Sequence, residues 1–188
     1  MKVDEPFDSS RKSIEPPEGL EFKIAALEHV RELVEIMRER NPEISYETMD
    51  KKIRREINLN ENDPFYWLYV SILDGKVVAL CRFFHSTGIP SEKKKYPSPE
   101  GWYGMGTLVA KGYRRQGIAR FIFGERIKIL KGLKADRLFS IVDRNNLASM
   151  RMHQKFGFRE IALGKGFLHL SFEETEGVLF EVKVSDYA

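Results

Sequence analysis

The sequence is poor in cysteine: Cys81 stands alone among 188 residues. That excludes an internal disulfide framework and any cysteine-based zinc finger. Histidine is scarce as well. His29, His85, His153 and His169 lie far apart without metal-ligand spacing, so no metal is expected. Long apolar runs are missing. Nothing approaches the roughly 18 residues that span a bilayer, and the polar N-terminus carries no hydrophobic leader. An excess of one charge is nearly absent too, since 31 Lys+Arg against 28 Asp+Glu leave +3. So small a surplus argues against a dedicated nucleic-acid binder, although a local basic patch stays open. The expectation is a soluble, cytoplasmic protein with neither nucleic acid nor membrane as partner.

What is present suits one packed domain. The hydrophobic share is 42%, enough for a core, and the length leaves no room for a second full one. Residues 1–19 hold Pro6, Pro16, Pro17, Ser9, Ser10 and many charges, which reads as a flexible N-terminal extension before a domain at 20–188. Leu20, Phe22 and Ile24 alternate with charges as a strand does. Val30, Leu33, Val34 and Met37 share a helical face, and a second helix follows Ser45 with Tyr46, Met49, Ile53 and Ile57 as its stripe. Strands over 65–73 and 77–84 flank Asp74-Gly75, a hairpin turn. A polar loop at 86–101 contains Lys93-Lys94-Lys95, and loops that long are uncommon unless functional or mobile. A strand at 102–109, a helix at 117–133, a strand at 138–142 and a helix at 146–156 stopped by Gly157 come next. Two more strands, near 167–172 and 178–184, complete a mixed α/β order.

The stretch from Val109 to Arg120 carries the chemistry. A strand ends, a basic turn with Gly112 and Gly117 follows, and a helix begins. Backbone N–H groups at such a turn lack internal partners, and the helix dipole adds positive potential, so the turn is suited to an anion. Gly117 admits a phosphate closely because it has no Cβ, and Arg114, Arg115 and Arg120 add charge. The spacings of a Walker loop and of a dinucleotide fingerprint are absent. Taken alone, the turn is either a site for a phosphate-bearing ligand or an ordinary solvated helix start.

Arg114-x-x-Gly117-x-Ala119 resembles the Q/R-x-x-G-x-G/A signature of the GNAT acetyltransferase superfamily. Further on, Asn146-Leu147-Ala148-Ser149 through Phe156-Gly157-Phe158 looks like that superfamily's second motif. The resemblance implies a single GNAT-like domain. Its central mixed sheet would have about six to seven strands and about four flanking helices. Two parallel strands, here 102–109 and 138–142, would splay around acetyl-CoA as co-substrate. By position, Thr107, Leu108 and Val109 would offer backbone groups to the pantetheine arm. Arg114, Arg115, Gln116, Gly117, Ile118, Ala119 and Arg120 would cradle the pyrophosphate, and Asn146 would bond the cofactor near its thiol end. The superfamily's usual proline after the strand is replaced by Lys111. The implied partners are acetyl-CoA and an amine acceptor, and a homodimer is common among such proteins.

Acetyl transfer to an amine has demands of its own. A lysine-like amine of pKa about 10.4 is almost wholly protonated at neutral pH, so a base or a relaying water helps. The oxyanion needs a donor, which a strand N–H supplies, and the leaving thiolate benefits from a proton. His153 stands where the superfamily commonly has a tyrosine donor, seven residues and two helical turns from Asn146. It is the candidate catalytic acid, against cofactor packing or a polar surface role. No carboxylate lies at 102–106, and Glu100, His85, Asp143 and Glu43 are equal candidates for the base, beside water. Cys81 reads as a buried small hydrophobe, the aromatic run at 65–69 as sheet core, and the three lysines as solvated loop. The expected function is acetyl-CoA-dependent transfer to a primary amine by direct attack. A CoA-binding sensor of the same fold, or a phosphate binder of another family, are the rivals.

Overall fold

The computed structural model describes residues 14–187, so most of the expected N-terminal extension lies outside the described residues. β1 (Glu21–Ile24) leads through a short 3₁₀ turn into α1 (Val30–Arg38) and α2 (Tyr46–Asn62). The Ser45 hydroxyl caps α2, accepting from Thr48 N at 3.2 Å. β2 (Tyr66–Leu73) and β3 (Lys76–His85) are joined at Asp74-Gly75, both in left-handed backbone, which matches the twist of a two-residue hairpin. β4 (Trp102–Val109), α3 (Ile118–Gly132), β5 (Arg137–Asp143) and α4 (Leu147–Lys155) follow. β6 (Arg159–Gly164), β7 (Gly166–Phe167), β8 (Leu170–Ser171), β9 (Gly177–Lys183) and a short 3₁₀ turn (Val184–Asp186) follow in turn.

Among the described residues, one seven-stranded sheet runs in the order β1-β2-β3-β4-β5-β9-β6, and β7 with β8 forms a small separate hairpin. All the sheet's pairings are antiparallel except β4 with β5. The pleat sends alternate residues to opposite faces. Leu68, Val70 and Leu80 bury against Leu33, Met49 and Ile53 of α1 and α2. Val78 and Cys81 bury against Ile118 and Ile122 of α3, on the other face. The helices thus split two and two around the sheet, as the mixed α/β expectation requires.

The tail departs from the sequence reading. β6 was not expected, because its Ile161 and Leu163 stay exposed at the sheet edge and give no buried stripe. The apolar run at 167–172 is not one strand. Leu168 takes a left-handed backbone, φ 51°, and folds the run back on itself as β7 and β8. The loop at 86–101 is stitched down rather than free. Lys95 N and Tyr96 N donate to the Leu168 carbonyl at 2.8 and 2.9 Å, and Leu168 N donates to Ser98 Oγ at 2.8 Å. Together the loop and the β7–β8 hairpin lie on Phe84, Tyr103 and Phe139, on the α1/α2 face of the sheet. Cys81 is fully buried and burial pushes its thiol up, consistent with a small hydrophobe. Trp67 and Tyr69 stack on Trp102 and Phe83 within the sheet core, while Lys93, Lys94 and Lys95 are exposed.

Candidate functional site

The turn between β4 and α3 holds two left-handed residues, Arg115 at φ 62° and Gly117 at φ 78°. Alternation of right- and left-handed backbone curls successive N–H groups toward one point, a concavity that suits phosphate oxygens. α3 begins immediately after, so its N-terminal dipole adds to the same point. The arginines divide. Arg114 folds away, donating from Nε to the Val109 carbonyl at 2.9 Å and pairing with Glu39 at 3.1 Å. Arg115 and Arg120 remain as the cations of the turn. Gln116 braces it, donating to the Gly112 carbonyl at 3.2 Å. The backbone of residues 14–16 crosses this turn. A Cβ on Gly117 would stand 2.7 Å from the Ile14 carbonyl oxygen and 2.9 Å from Pro16 N. Gly117 is therefore needed twice, for its backbone angle and for that approach.

β4 and β5 pair at Trp102–Leu138, Tyr103–Phe139 and Gly104–Ser140, and the parallel ladder ends there. On its other side β4 carries a bulge: Arg82 pairs Met105 and Leu80 pairs Leu108, so Gly106 and Thr107 together face Cys81. Gly106 takes φ 60°, the conformation such a bulge requires of its first residue. Past Gly104 the β5-facing edge of β4 has no strand partner among the described residues; Arg126 and Arg114 take the Met105 and Val109 carbonyls, and the backbone between them faces the gap.

A cavity of about 20 Å³ lies at this apex, enough for one water-sized group. Thr107 and Ala119 of the expected cofactor set line it, with His153, Ser140 and Arg126. His153 is buried and stacks on Phe180. Its Nδ1 is 2.8 Å from the Ser149 carbonyl oxygen and its Nε2 is 2.7 Å from Ser140 Oγ. A carbonyl only accepts, so Nδ1 carries a proton, while the Ser140 hydroxyl donates to the Gly104 carbonyl at 3.2 Å with its oxygen facing Nε2. Burial pulls the His153 pKa below the ordinary histidine value. The Ser149 bond opposes that, and the Arg126 charge adds to it. Arg126 comes from the inward stripe of α3. It donates from Nη2 to the carbonyls of Arg82 and Met105 at 2.9 and 3.3 Å, and its Nε has no hydrogen-bond partner among the described residues.

Asn146 is the N-cap of α4: its Oδ1 accepts from Ser149 N at 3.1 Å, so the amide nitrogen is the end left for a ligand. The candidate bases do not gather at the apex. His85 and Glu100 line a separate cleft of about 490 Å³ with Trp102 and Arg137, at the start of β4 and β5. Asp143 is occupied in accepting from Asn145 N at 2.8 Å, and Glu43 is exposed before α2. Sequence reasoning missed the carboxylate that does approach the bulge. Glu56 of α2 bonds Arg82 Nε at 2.7 Å, and a Cβ on Gly106 would meet Arg82 Nη1 at 3.0 Å. Among the described residues no cluster of three or more metal-ligating side chains occurs, and no helix is long and apolar enough to cross a membrane.

A left-handed turn opening α3, a parallel pair whose ladder ends at Gly104–Ser140 and a buried histidine on α4 are the features that the fold brings together. The profile of the Acetyltransferase (GNAT) family matches residues 30–158, and the chain belongs to that family. It is an acyltransferase of that family. No curated protein matches its sequence. Solved structures match its fold. The acetyl transferase of Salmonella typhimurium that modifies the N-terminal serine of ribosomal protein L7/L12 superposes with a TM-score of 0.69 at 15% identity, covering 90% of this chain and 98% of that one. Arabidopsis thaliana NAA60 in complex with acetyl-CoA gives 0.63 at 19%, covering 88% and 99%. The PaiA N-acetyltransferase of Thermoplasma acidophilum in complex with coenzyme A gives 0.64 at 16%, with the same coverages of 88% and 99%.

Proposed function

We propose that the chain transfers the acetyl group of acetyl-CoA to a primary amine by direct attack on the thioester. The observation that carries this reading is the ending of the β4–β5 ladder at Gly104–Ser140, between the left-handed turn and the His153 cavity. In this reading the N–H groups of the 115–118 turn hold the pyrophosphate, with Arg115 and Arg120 as nearby charge. The backbone edge around Thr107 and Leu108 bonds the pantetheine amides, and Thr107 and Ala119 flank the arm. Asn146 meets the cofactor near its thiol end. Acetyl-CoA brings the activated acyl group; the chain brings alignment and proton management. A β4 N–H at the bulge donates to the developing oxyanion. His153 hands a proton to the departing sulfur.

The acceptor enters on the α1/α2 face, beside the loop at 86–101 and the β7–β8 hairpin. The loop and hairpin are held there by packing on the buried Phe84, Tyr103 and Phe139, and the Glu56–Arg82 pair lies on the same face. Salmonella and Arabidopsis neighbours act on protein N-termini or are held with a bisubstrate analogue, which favours an amine of peptide character. Acetyl-CoA turnover against small amines, amino acids, polyamines and peptides tests the reading. Saturable, amine-dependent thiol release supports it. Binding of acetyl-CoA with no release for any class would leave CoA sensing as the function.

A further inference from the structure

Arg126 is a buried cation that no buried anion meets. The residue is 7% exposed, yet its hydrogen bonds go to the neutral carbonyls of Arg82 and Met105, and its Nε has no partner among the described residues. A Cβ on Gly104 would stand 3.3 Å from Nη1, so glycine at the last rung of the β4–β5 ladder makes room for the guanidinium. A buried charge without an opposite charge is costly. The cavity it lines does not supply one. None of the lining side chains is a carboxylate, and His153 from α4 is the other ionisable group there. On β3 the Cys81 thiol lies beside the guanidinium, and burial pushes it up, so it stays protonated and uncharged. Thr107 and Ala119, which flank the pantetheine arm in the proposed reading, line the same cavity. The end of that arm is a sulfur, the atom that turns negative as the thioester breaks.

We propose that Arg126 is a catalytic residue that holds the negative charge of the CoA thiolate as it departs. The inference rests on the reading of the gap as an acetyl-CoA site. The acceptor nitrogen bonds the thioester carbon and gives up a proton to water. The oxyanion collapses, the carbon–sulfur bond breaks, and its electron pair leaves with sulfur. The amide is then complete, and the charge on sulfur faces a guanidinium in buried surroundings, where attraction is stronger than in water. His153 hands its proton to the thiolate and regains one from solvent. The fixed cation lets the bond break before that proton has fully moved, and its charge does not change over the physiological pH range.

The test titrates the thiol of CoA bound to the full-length protein, read as thiolate absorbance in the difference spectrum against the desulfo-CoA complex. In wild type the bound thiol should be at least tenfold more acidic than that of free CoA. Arg126→Gln keeps a donor for the two carbonyls and removes the charge. It should return the titration to that of free CoA or above, and lower kcat at least tenfold while desulfo-CoA affinity stays within about threefold. Arg126→Lys should keep part of the shift and part of the rate. His153→Phe should keep the shift, because the holding charge is not the histidine's. A bound thiol no more acidic than free CoA in wild type would overturn the proposal whether or not the variants fold. So would a wild-type titration in Arg126→Gln, which is what a purely structural arginine gives. Either result leaves the acetyltransferase standing. Wild type that binds neither CoA nor desulfo-CoA would overturn the acetyl-CoA reading itself.

Discussion

Gly117 sits against the chain's own N-terminal segment, and in the proposed reading a cofactor phosphate would need the same space, so replacing it by alanine separates several effects. The residue holds φ 78°, where an L-residue costs roughly 1–2 kcal/mol. The new Cβ would also meet the Ile14 oxygen, Pro16 N and the Glu15 carbonyl carbon at 2.7, 2.9 and 3.0 Å. All three are backbone atoms, so the segment must move as a unit. Within it Ile14 remains 56% exposed, and its burial contributes at most about 1 kcal/mol. Gly117→Ala should therefore cost about 2–3 kcal/mol in the full chain. It should cost about 1–2 kcal/mol in a chain lacking residues 1–16, where only the backbone term survives. Urea unfolding of the four proteins measures the difference. Deleting residues 1–16 from the wild type should tighten CoA about fivefold, the factor that about 1 kcal/mol of competing closure implies. Equal costs of Gly117→Ala in both chains, with CoA affinity unaltered by the deletion, would refute the shared site.

The remaining expectations concern side chains. His153→Phe should lower kcat by roughly ten- to a thousand-fold with an amine already neutral in the assay, and leave acetyl-CoA affinity nearly unchanged in calorimetry. Burial lowers the pKa of His153, so the unfolded chain takes up a proton more readily than the folded one. That contribution to stability is complete above the unfolded value of about 6.5 and is lost as pH falls through the lower folded value, which wild type should show and His153→Phe should lack in urea titrations across pH. Glu56→Ala should cost about 3–5 kcal/mol because it strands the buried Arg82, and a Glu56→Met with Arg82→Met double variant should recover most of the loss.

Alternation and turn residues carried most of the fold. The hairpin at Asp74-Gly75, the Ser45 cap and the Gly157 stop all appear where their chemistry indicates. β6 escaped because an edge strand with Ile161 and Leu163 facing outward has no buried partner to betray it. The β7–β8 hairpin escaped because a left-handed leucine is not legible from composition. At the site, backbone-borne features were readable and side-chain convergence was not. The turn and His153 came from the motif positions. Ser140 hid within the apolar run 138–142, since nothing local says that its hydroxyl meets a helix thirteen residues on. Arg126 and Glu56 did leave a trace: each is a charge on the inward face of its helix, beside Ile122 and Leu130 in α3 and beside Ile53 and Ile57 in α2. A charge on an apolar stripe is costly unless something faces it, and that cost is the signal.

The central claim is that the gap between β4 and β5 takes acetyl-CoA, with its thioester at the cavity lined by Thr107 and His153. Calorimetric titration of acetyl-CoA into wild type and into Thr107→Trp, whose ring is too large for the water-sized cavity and would stand in the gap beside it, tests it most directly. The account predicts saturable binding at one site in wild type and at least a tenfold loss in a Thr107→Trp protein with an unchanged unfolding midpoint. Equal affinity in the two folded proteins, or no binding by wild type, would contradict it.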